Sequence, residues 1–200
     1  MKDGEELNDW NIYSPLWCRV GVENYKNQKA LALHDSDPFD YAKAERVFPE
    51  LKEMTAQFTI TPMQDQFGLL DIEILDSKGT ACLRITLDSS GNILTKQGYR
   101  NKSIGKYKTG EALTIKVMLD VVTRFYLVQI NFKAGINNLC FAPVKSVERI
   151  VFRTGNIRRF PDADTPTDQD YDLPDANKKD KEAIYYIHDL RVGKTKPVRI

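Results

Sequence analysis

Residues 67–97, FGLLDIEILDSKGTACLRITLDSSGNILTKQ, decide the fold of this chain. Their apolar residues recur at every second position, which is typical of β-strands that bury one face. Turns rich in Asp, Ser and Gly at 76–79 and 88–92 separate three such segments, so the stretch predicts an antiparallel meander. Its apolar side chains should face the core: Leu70, Ile72, Ile74, Leu83, Ile85 and Leu87. Its polar ones should face solvent: Asp71, Glu73, Arg84 and Thr86.

The same period runs along most of the chain and predicts about eleven strands without a long helix. The predicted strands are Leu16–Glu23, Leu31–Asp35, Met54–Thr61, Phe67–Leu75, Ala81–Leu87, Ile93–Gln97, Leu113–Leu119, Phe125–Phe132, Leu139–Ala142, Glu148–Phe152 and Ile184–Val192. Many short antiparallel strands with one apolar face favour an all-β, two-sheet sandwich. We expect residues 1–200 to be one domain, with a folded core at about 10–192 and a long acidic loop at 161–182.

Composition excludes several function classes. The 29 basic and 28 acidic residues give a net charge of +1, which offers no overall field for nucleic acid or an anionic bilayer. No apolar run approaches the ~18 residues of a membrane helix. Cys18, Cys82 and Cys140 lack metal-ligand spacing, and their odd number argues against a disulfide framework but leaves one bridge open. The first six residues lack the features of a secretion signal, so the chain is either cytoplasmic or preceded by a further segment.

Asp71 and Glu73 are the candidate catalytic residues. They are two positions apart on a predicted strand and therefore share one face, as the acid and base of a glycoside hydrolase can. An enzyme of this type, hydrolase or polysaccharide lyase, would use them with Arg84 or Lys133. The alternative is structural, because pairing across the turn at 76–79 places Arg84 opposite one of them as an exposed ion pair.

Two comparisons with enzyme families rest on short motifs. The segment 70–74, LDIEI, resembles the acidic strand of laminarinase-type glycoside hydrolases, although Leu69 and Leu75 stand at the third acidic positions. The segment 131–137, NFKAGIN, resembles a strand of alginate-lyase jelly rolls, with Asn137 in place of the catalytic tyrosine. Both resemblances imply the fold more strongly than the chemistry.

A candidate metal site lies at 34–40, HDSDPFD. Asp35, Asp37 and Asp40 offer hard oxygen ligands in an irregular loop, which suits a structural calcium ion. The alternative is an Asx turn, in which Asp35 or Asp37 caps its own backbone.

Candidate ligand-binding residues combine aromatic rings with cationic or amide groups. Tyr99 and Tyr107 lie in the polar stretch 97–108, which could bind an anionic sugar such as a uronic acid. Further candidates follow from strand alternation, which turns their side chains outward. The full set is Tyr99, Arg100, Tyr107, Arg84, Lys116 and Gln129.

Most of the chain resembles the concanavalin A-like, laminin-G-like sandwich modules of bacterial polysaccharide-degrading enzymes. The segments at 31–42, 68–74, 148–155 and 186–192 carry this resemblance. It implies a jelly-roll fold, an exported parent protein, and a non-catalytic role in carbohydrate binding or as an accessory to the parent's catalytic domain. Besides the enzyme, a structural docking domain remains an alternative, since one fold hosts many functions.

Overall fold

The structure is a computed structural model and describes residues 7, 9–98, 100–155 and 178–195. Fourteen β-strands run through these residues. Their bounds are β1 Trp10–Tyr13, β2 Cys18–Tyr25, β3 Gln28–Asp35, β4 Lys43–Leu51, β5 Glu53–Pro62, β6 Leu70–Leu75, β7 Ala81–Leu87, β8 Asn92–Gln97, β9 Arg100–Lys106, β10 Leu113–Asp120, β11 Phe125–Ile130, β12 Ile136–Leu139, β13 Val147–Thr154 and β14 Ala183–Lys194. Among the described residues, no helix has the length and apolar character that crossing a membrane requires.

Two seven-stranded sheets form the sandwich. The first sheet has the order β1-β4-β13-β6-β7-β8-β9, and the second has the order β12-β11-β10-β5-β14-β3-β2. All paired strands are antiparallel. The predicted all-β, two-sheet antiparallel sandwich is therefore confirmed.

The predicted meander forms the centre of the first sheet. Ile72 pairs with Ile85 across β6 and β7, and both are buried in the core between the sheets. The turns use glycine where the backbone must enter the left-handed region, with φ of 85° at Gly79 and 73° at Gly91. From the other sheet, the ring of Phe58 meets Phe152 edge-on, with a centroid separation of 5.3 Å. Alternation therefore placed these core residues correctly.

Three strands were not predicted. Strands β1 and β9 lie at the two edges of the first sheet, where polar side chains are tolerated and no apolar alternation is needed. Strand β9 occupies most of the polar stretch 97–108, where no strand was predicted. In β4, charged residues line the outer face and a proline follows Phe48, so its alternation is hard to recognise.

Strand β12 begins and ends three residues before the predicted Leu139–Ala142. Of the predicted acidic loop, 161–177 lies outside the described residues.

Candidate functional site

The outer face of the first sheet carries Asp71 and Glu73 in a dense set of ion pairs. Asp71 accepts hydrogen bonds from Arg153 at 2.6 Å and from the hydroxyl of Thr86 at 2.5 Å. Glu73 accepts one from Nε of Arg84 at 2.7 Å. The two acidic residues are only 6% and 5% exposed, so the expectation that this face meets solvent is wrong here. The cross-strand partner Arg84 is as predicted, but a second cation, Arg153 of β13, lies beside Asp71 and is itself only 3% exposed, so this face is covered rather than open to solvent.

The set of ion pairs extends to Glu45 on β4, and two of its guanidinium groups lie over aromatic rings. Glu45 pairs with Arg149 at 3.2 Å. The guanidinium of Arg153 lies over the ring of Tyr41, and that of Arg84 over Phe141. Cations therefore already engage these carboxylates, and the geometry favours a structural role for them.

Lys133, the other residue of the predicted catalytic group, lies in the turn between β11 and β12 of the second sheet. Asp71 and Glu73 project from the first sheet on the side opposite the core. The structure therefore does not bring Lys133 together with them, and a catalytic use of Asp71 and Glu73 stays a prediction that this arrangement does not favour.

The six predicted ligand-binding residues do not share one site. Tyr107 is 6% exposed, and its hydroxyl donates to the backbone carbonyl of Asp88 at 2.6 Å. Burial, followed by the nearby charge of Asp88, raises its pKa. The structure does not favour the predicted ligand-binding role of Tyr107, because its ring belongs to the hydrophobic core cluster and its hydroxyl is engaged. Arg84 and Arg100 belong to the first sheet, and Tyr99 lies outside the described residues.

Lys116 and Gln129 are direct cross-strand neighbours on the outer face of the second sheet. Lys116 also pairs with Gln57 of β5, which pairs in turn with Arg191 of β14. We call Arg191, Gln57, Lys116 and Gln129 the amide–cation row. No side chain of this row has a hydrogen-bond or ion-pair partner within the part of the chain that the structure describes. Four donor side chains thus stand unengaged along a line of about 14 Å, at the usual spacing of neighbouring strands.

An exposed aromatic ring lies on the same face as the row. Phe125 is four positions before Gln129 on β11, so the period of two turns both side chains outward. It is 49% exposed. The ring lies about 13 Å along the strand from Gln129, so one extended sugar chain could meet both, with the ring packing on C–H groups while the polar groups bind hydroxyls. Phe125, Gln57 and Arg191 could not be predicted from sequence as part of one surface, because only strand pairing brings them to the same face.

The other end of this face carries a second polar group that the sequence analysis also missed. Glu23 pairs with Arg19 at 2.6 Å and with His34 at 3.1 Å, and it accepts a hydrogen bond from the Tyr186 hydroxyl. Burial opposes its ionisation, but the neighbouring His34 and Arg19 outweigh burial and lower the pKa of Glu23. The rings of Tyr25 and Tyr186 stack with centroids 4.3 Å apart. Unlike the amide–cation row, these groups satisfy one another.

The predicted calcium ligands line a cavity of about 470 Å³ at one end of the sandwich. Asp35 accepts a hydrogen bond from the Asp37 amide at 3.0 Å, and Asp37 accepts bonds from the amides of Phe39 and Asp40. Asp40 accepts a further bond from the Tyr13 hydroxyl at 3.0 Å. The bonds from the backbone amides to Asp35 and Asp37 are those of Asx turns. Among the described residues, no three acidic, His or Cys side chains are arranged to hold a metal ion, and the calcium site stays a prediction.

Asp35 is the most enclosed carboxylate of this cavity. Burial raises its pKa, and the nearby Thr154 hydroxyl and the hydrogen bond from the Asp37 amide oppose this effect. It also accepts a hydrogen bond from the thiol of Cys18 at 3.4 Å. Asp35, Asp37 and Asp40 are therefore held in place by backbone amides and by the side chains of Cys18 and Tyr13.

Comparison with known proteins places the chain in a family. Residues 10–169 match the family model described as "Sialidase-like, CBM domain". A solved sialidase is 39% identical, with a TM-score of 0.90 over 98% of this chain, and the chain spans 18% of that sialidase. No curated protein matches the chain in sequence.

Two more distant structures share the fold alone. The cellulose-induced protein Cip1 has a TM-score of 0.62 at 11% identity, with 96% of each chain covered. The alginate lyase AlgAT5 of polysaccharide lyase family 7 has a TM-score of 0.59 at 11% identity, again over 96% of each chain. The predicted resemblance to sandwich modules of glycan-degrading proteins is thereby confirmed. The chain belongs to the sialidase-like family of carbohydrate-binding modules.

Proposed function

We propose that this non-catalytic module binds a carboxylate-bearing sugar across the amide–cation row on the outer face of the second sheet. The observation that carries the proposal is the row itself: two cations and two amides in register on four adjacent strands, without partners among the described residues. A sugar carboxylate would accept charge-assisted hydrogen bonds from Lys116 or Arg191, and its hydroxyls would bind Gln57 and Gln129. Phe125, about 13 Å from Gln129 along β11, would pack on the C–H face of a further sugar of the same oligosaccharide.

Two sources would supply such a sugar. Uronic acids occur in plant and host polysaccharides, and the similar solved protein is by its name a sialidase, which points to sialic acids. Both carry a carboxylate on a sugar ring, so the row would bind either by the same contacts. We propose in addition that the module belongs to an exported glycan-degrading protein, since its family suggests an extracellular or periplasmic setting.

The test measures dissociation constants by calorimetry for oligogalacturonate, oligoalginate, sialyllactose, and the neutral sugars lactose and laminarin oligomers. We expect tighter binding of one acidic group, weakened by salt. Lys116→Ala should weaken that binding about tenfold or more, because charge-assisted hydrogen bonds contribute about 1.5–3 kcal/mol. Gln129→Ala and Phe125→Ala should weaken it less.

Lys78→Ala is the matched control, since Lys78 is an exposed lysine in the turn between β6 and β7 of the first sheet. Its binding constants should equal those of the unchanged protein. Equal binding by Lys116→Ala, or no preference for acidic over neutral sugars, would overturn the proposal. Product release from any of these glycans that Glu73→Gln abolishes would instead make the module an enzyme.

A further inference from the structure

Two of the three thiols meet at the boundary between the sheets. Cys82 lies on β7 of the first sheet and is buried, whereas Cys140 directly follows β12 of the second sheet and is partly exposed. The amide of Phe141 donates to the carbonyl of Cys82 at 3.0 Å, and the amide of Cys140 donates to Arg124 at 2.9 Å. These backbone bonds hold the two cysteines next to each other, although they are far apart in sequence.

Both side chains pack in or against the hydrophobic core cluster. The neighbouring Cys140, together with burial, raises the pKa of the Cys82 thiol. The neighbouring Cys82 lowers the pKa of Cys140. Tyr126 lies close enough that both sulfurs contribute to raising its pKa, after burial. The third thiol, Cys18, is elsewhere and donates to Asp35.

We propose that Cys82 and Cys140 are a disulfide-forming pair that links the two sheets when the protein meets an oxidant of the disulfide class. Neither the family nor the glycan-binding proposal assigns them a role. The inference does not rest on sugar binding, and it uses the compartment only as the source of the oxidant, because disulfides persist in oxidising surroundings.

The order of steps follows from exposure, since Cys140 is partly exposed and Cys82 is buried. The Cys140 thiolate attacks one sulfur of the oxidant, forms a mixed disulfide, and releases the other half as a thiolate. The sulfur of Cys82 then attacks the Cys140 sulfur, gives up its proton to the released thiolate, and expels the second half of the oxidant. The two cysteines lose two electrons and two protons, and the oxidant is reduced to two thiols.

A disulfide between Cys82 and Cys140 would stabilise the edge of the second sheet at β12. Strand β12 spans four residues, Ile136–Leu139, and pairs only with β11 at the edge of the second sheet. Within this strand, Asn138 reaches the first sheet by accepting hydrogen bonds from the side chains of Thr95 and Gln97. A covalent link at Cys140 would hold this edge to β7 and would restrict the unfolded chain over a long loop.

The test oxidises the folded protein with oxidised glutathione, alkylates the remaining thiols after unfolding, and analyses tryptic peptides by mass spectrometry. We expect one cross-linked species joining residues 79–84 to 134–145, while the peptide 3–19 that contains Cys18 is alkylated. The oxidised protein should melt about 10 °C above the reduced one, as a long closed loop implies. Before oxidation, Cys140 should react with an alkylating reagent faster than either other thiol.

Cys140→Ser should abolish both the cross-link and the rise in melting temperature, and Cys18→Ser should retain both. Because Cys82 is fully buried, Cys82→Ala serves beside Cys82→Ser in case the serine variant does not fold. Three alkylated cysteines after oxidation, or a cross-link that contains the Cys18 peptide, would overturn the proposal.

Discussion

Arg153 shows how far residue-level inference from sequence reaches. Alternation predicted that Asp71 and Glu73 share a face with Arg84, and the register confirms it. It could not predict Arg153, which is 82 positions from Asp71 and reaches it only because β13 pairs with β6. The ligand-binding prediction for Tyr107 failed for the same reason. Its hydroxyl contacts Asp88, which is distant in sequence from the polar stretch 97–108 that suggested the role.

Arg153→Met should destabilise the protein by about 3–5 kcal/mol, because it leaves the buried Asp71 without its main cation. Urea unfolding gives the free energy. Adding Asp71→Asn to Arg153→Met should recover part of the loss, because the orphaned charge is removed. Strictly additive losses in this double-mutant cycle would show that the two side chains do not interact.

At the scale of elements, turns and central strands were predictable, whereas edge strands were not. The turn at 88–92 was recognisable because Asp88 and Gly91 supply the residue types that it requires. Strand β9, which follows β8 in the meander, has an exposed or half-exposed side chain at every position, so its sequence carries no alternation of apolar residues. The same absence of pattern explains why β1 was not found.

The turn between β7 and β8 should make stability depend on pH. Burial opposes the ionisation of Asp88, but hydrogen bonds from the Asn92 side chain and from the amides of Asn92 and Ser90 outweigh it and lower its pKa. Its contribution to stability is therefore complete above the unfolded-state pKa of about 4 and is lost as the pH falls through the lower folded-state value.

Asp88→Asn should accordingly lower the urea midpoint at pH 7 and leave it nearly unchanged at pH 2. Asn92→Ala removes one of the donors and should shift the acid transition of the protein to higher pH. A constant difference between Asp88→Asn and the unchanged protein across this range would contradict the assignment.

For the whole molecule, the sequence predicted two stacked sheets but not how they are joined. The strand order, with β13 between β4 and β6 and β14 between β3 and β5, depends on long-range pairing that no local pattern encodes. The amide–cation row could likewise be predicted only in part. Lys116 and Gln129 followed from alternation, whereas Gln57 and Arg191 became part of the row only through this order.

The contact between Phe58 and Phe152 should couple the two sheets energetically. Phe58→Leu and Phe152→Leu should each destabilise the protein, and their double-mutant cycle should give a coupling of about 1 kcal/mol, as expected for an edge-on aromatic pair. The measurement is again urea unfolding. Phe58→Leu combined with Ile93→Val is the control, because Ile93 lies on β8, three strands from β13. A coupling equal to that of the control would contradict the contact.

The position of β14 also has a consequence for how the chain acquires its structure during synthesis. This strand lies between β5 and β3, so the hairpin of β2 and β3 has no neighbour in its sheet until Ala183–Lys194 is made. A nascent chain that stops short of residue 183 therefore leaves two unpaired edges open to other chains, which is a hazard for aggregation. We expect ribosome-bound fragments to require chaperone protection until this last insertion closes the sheet.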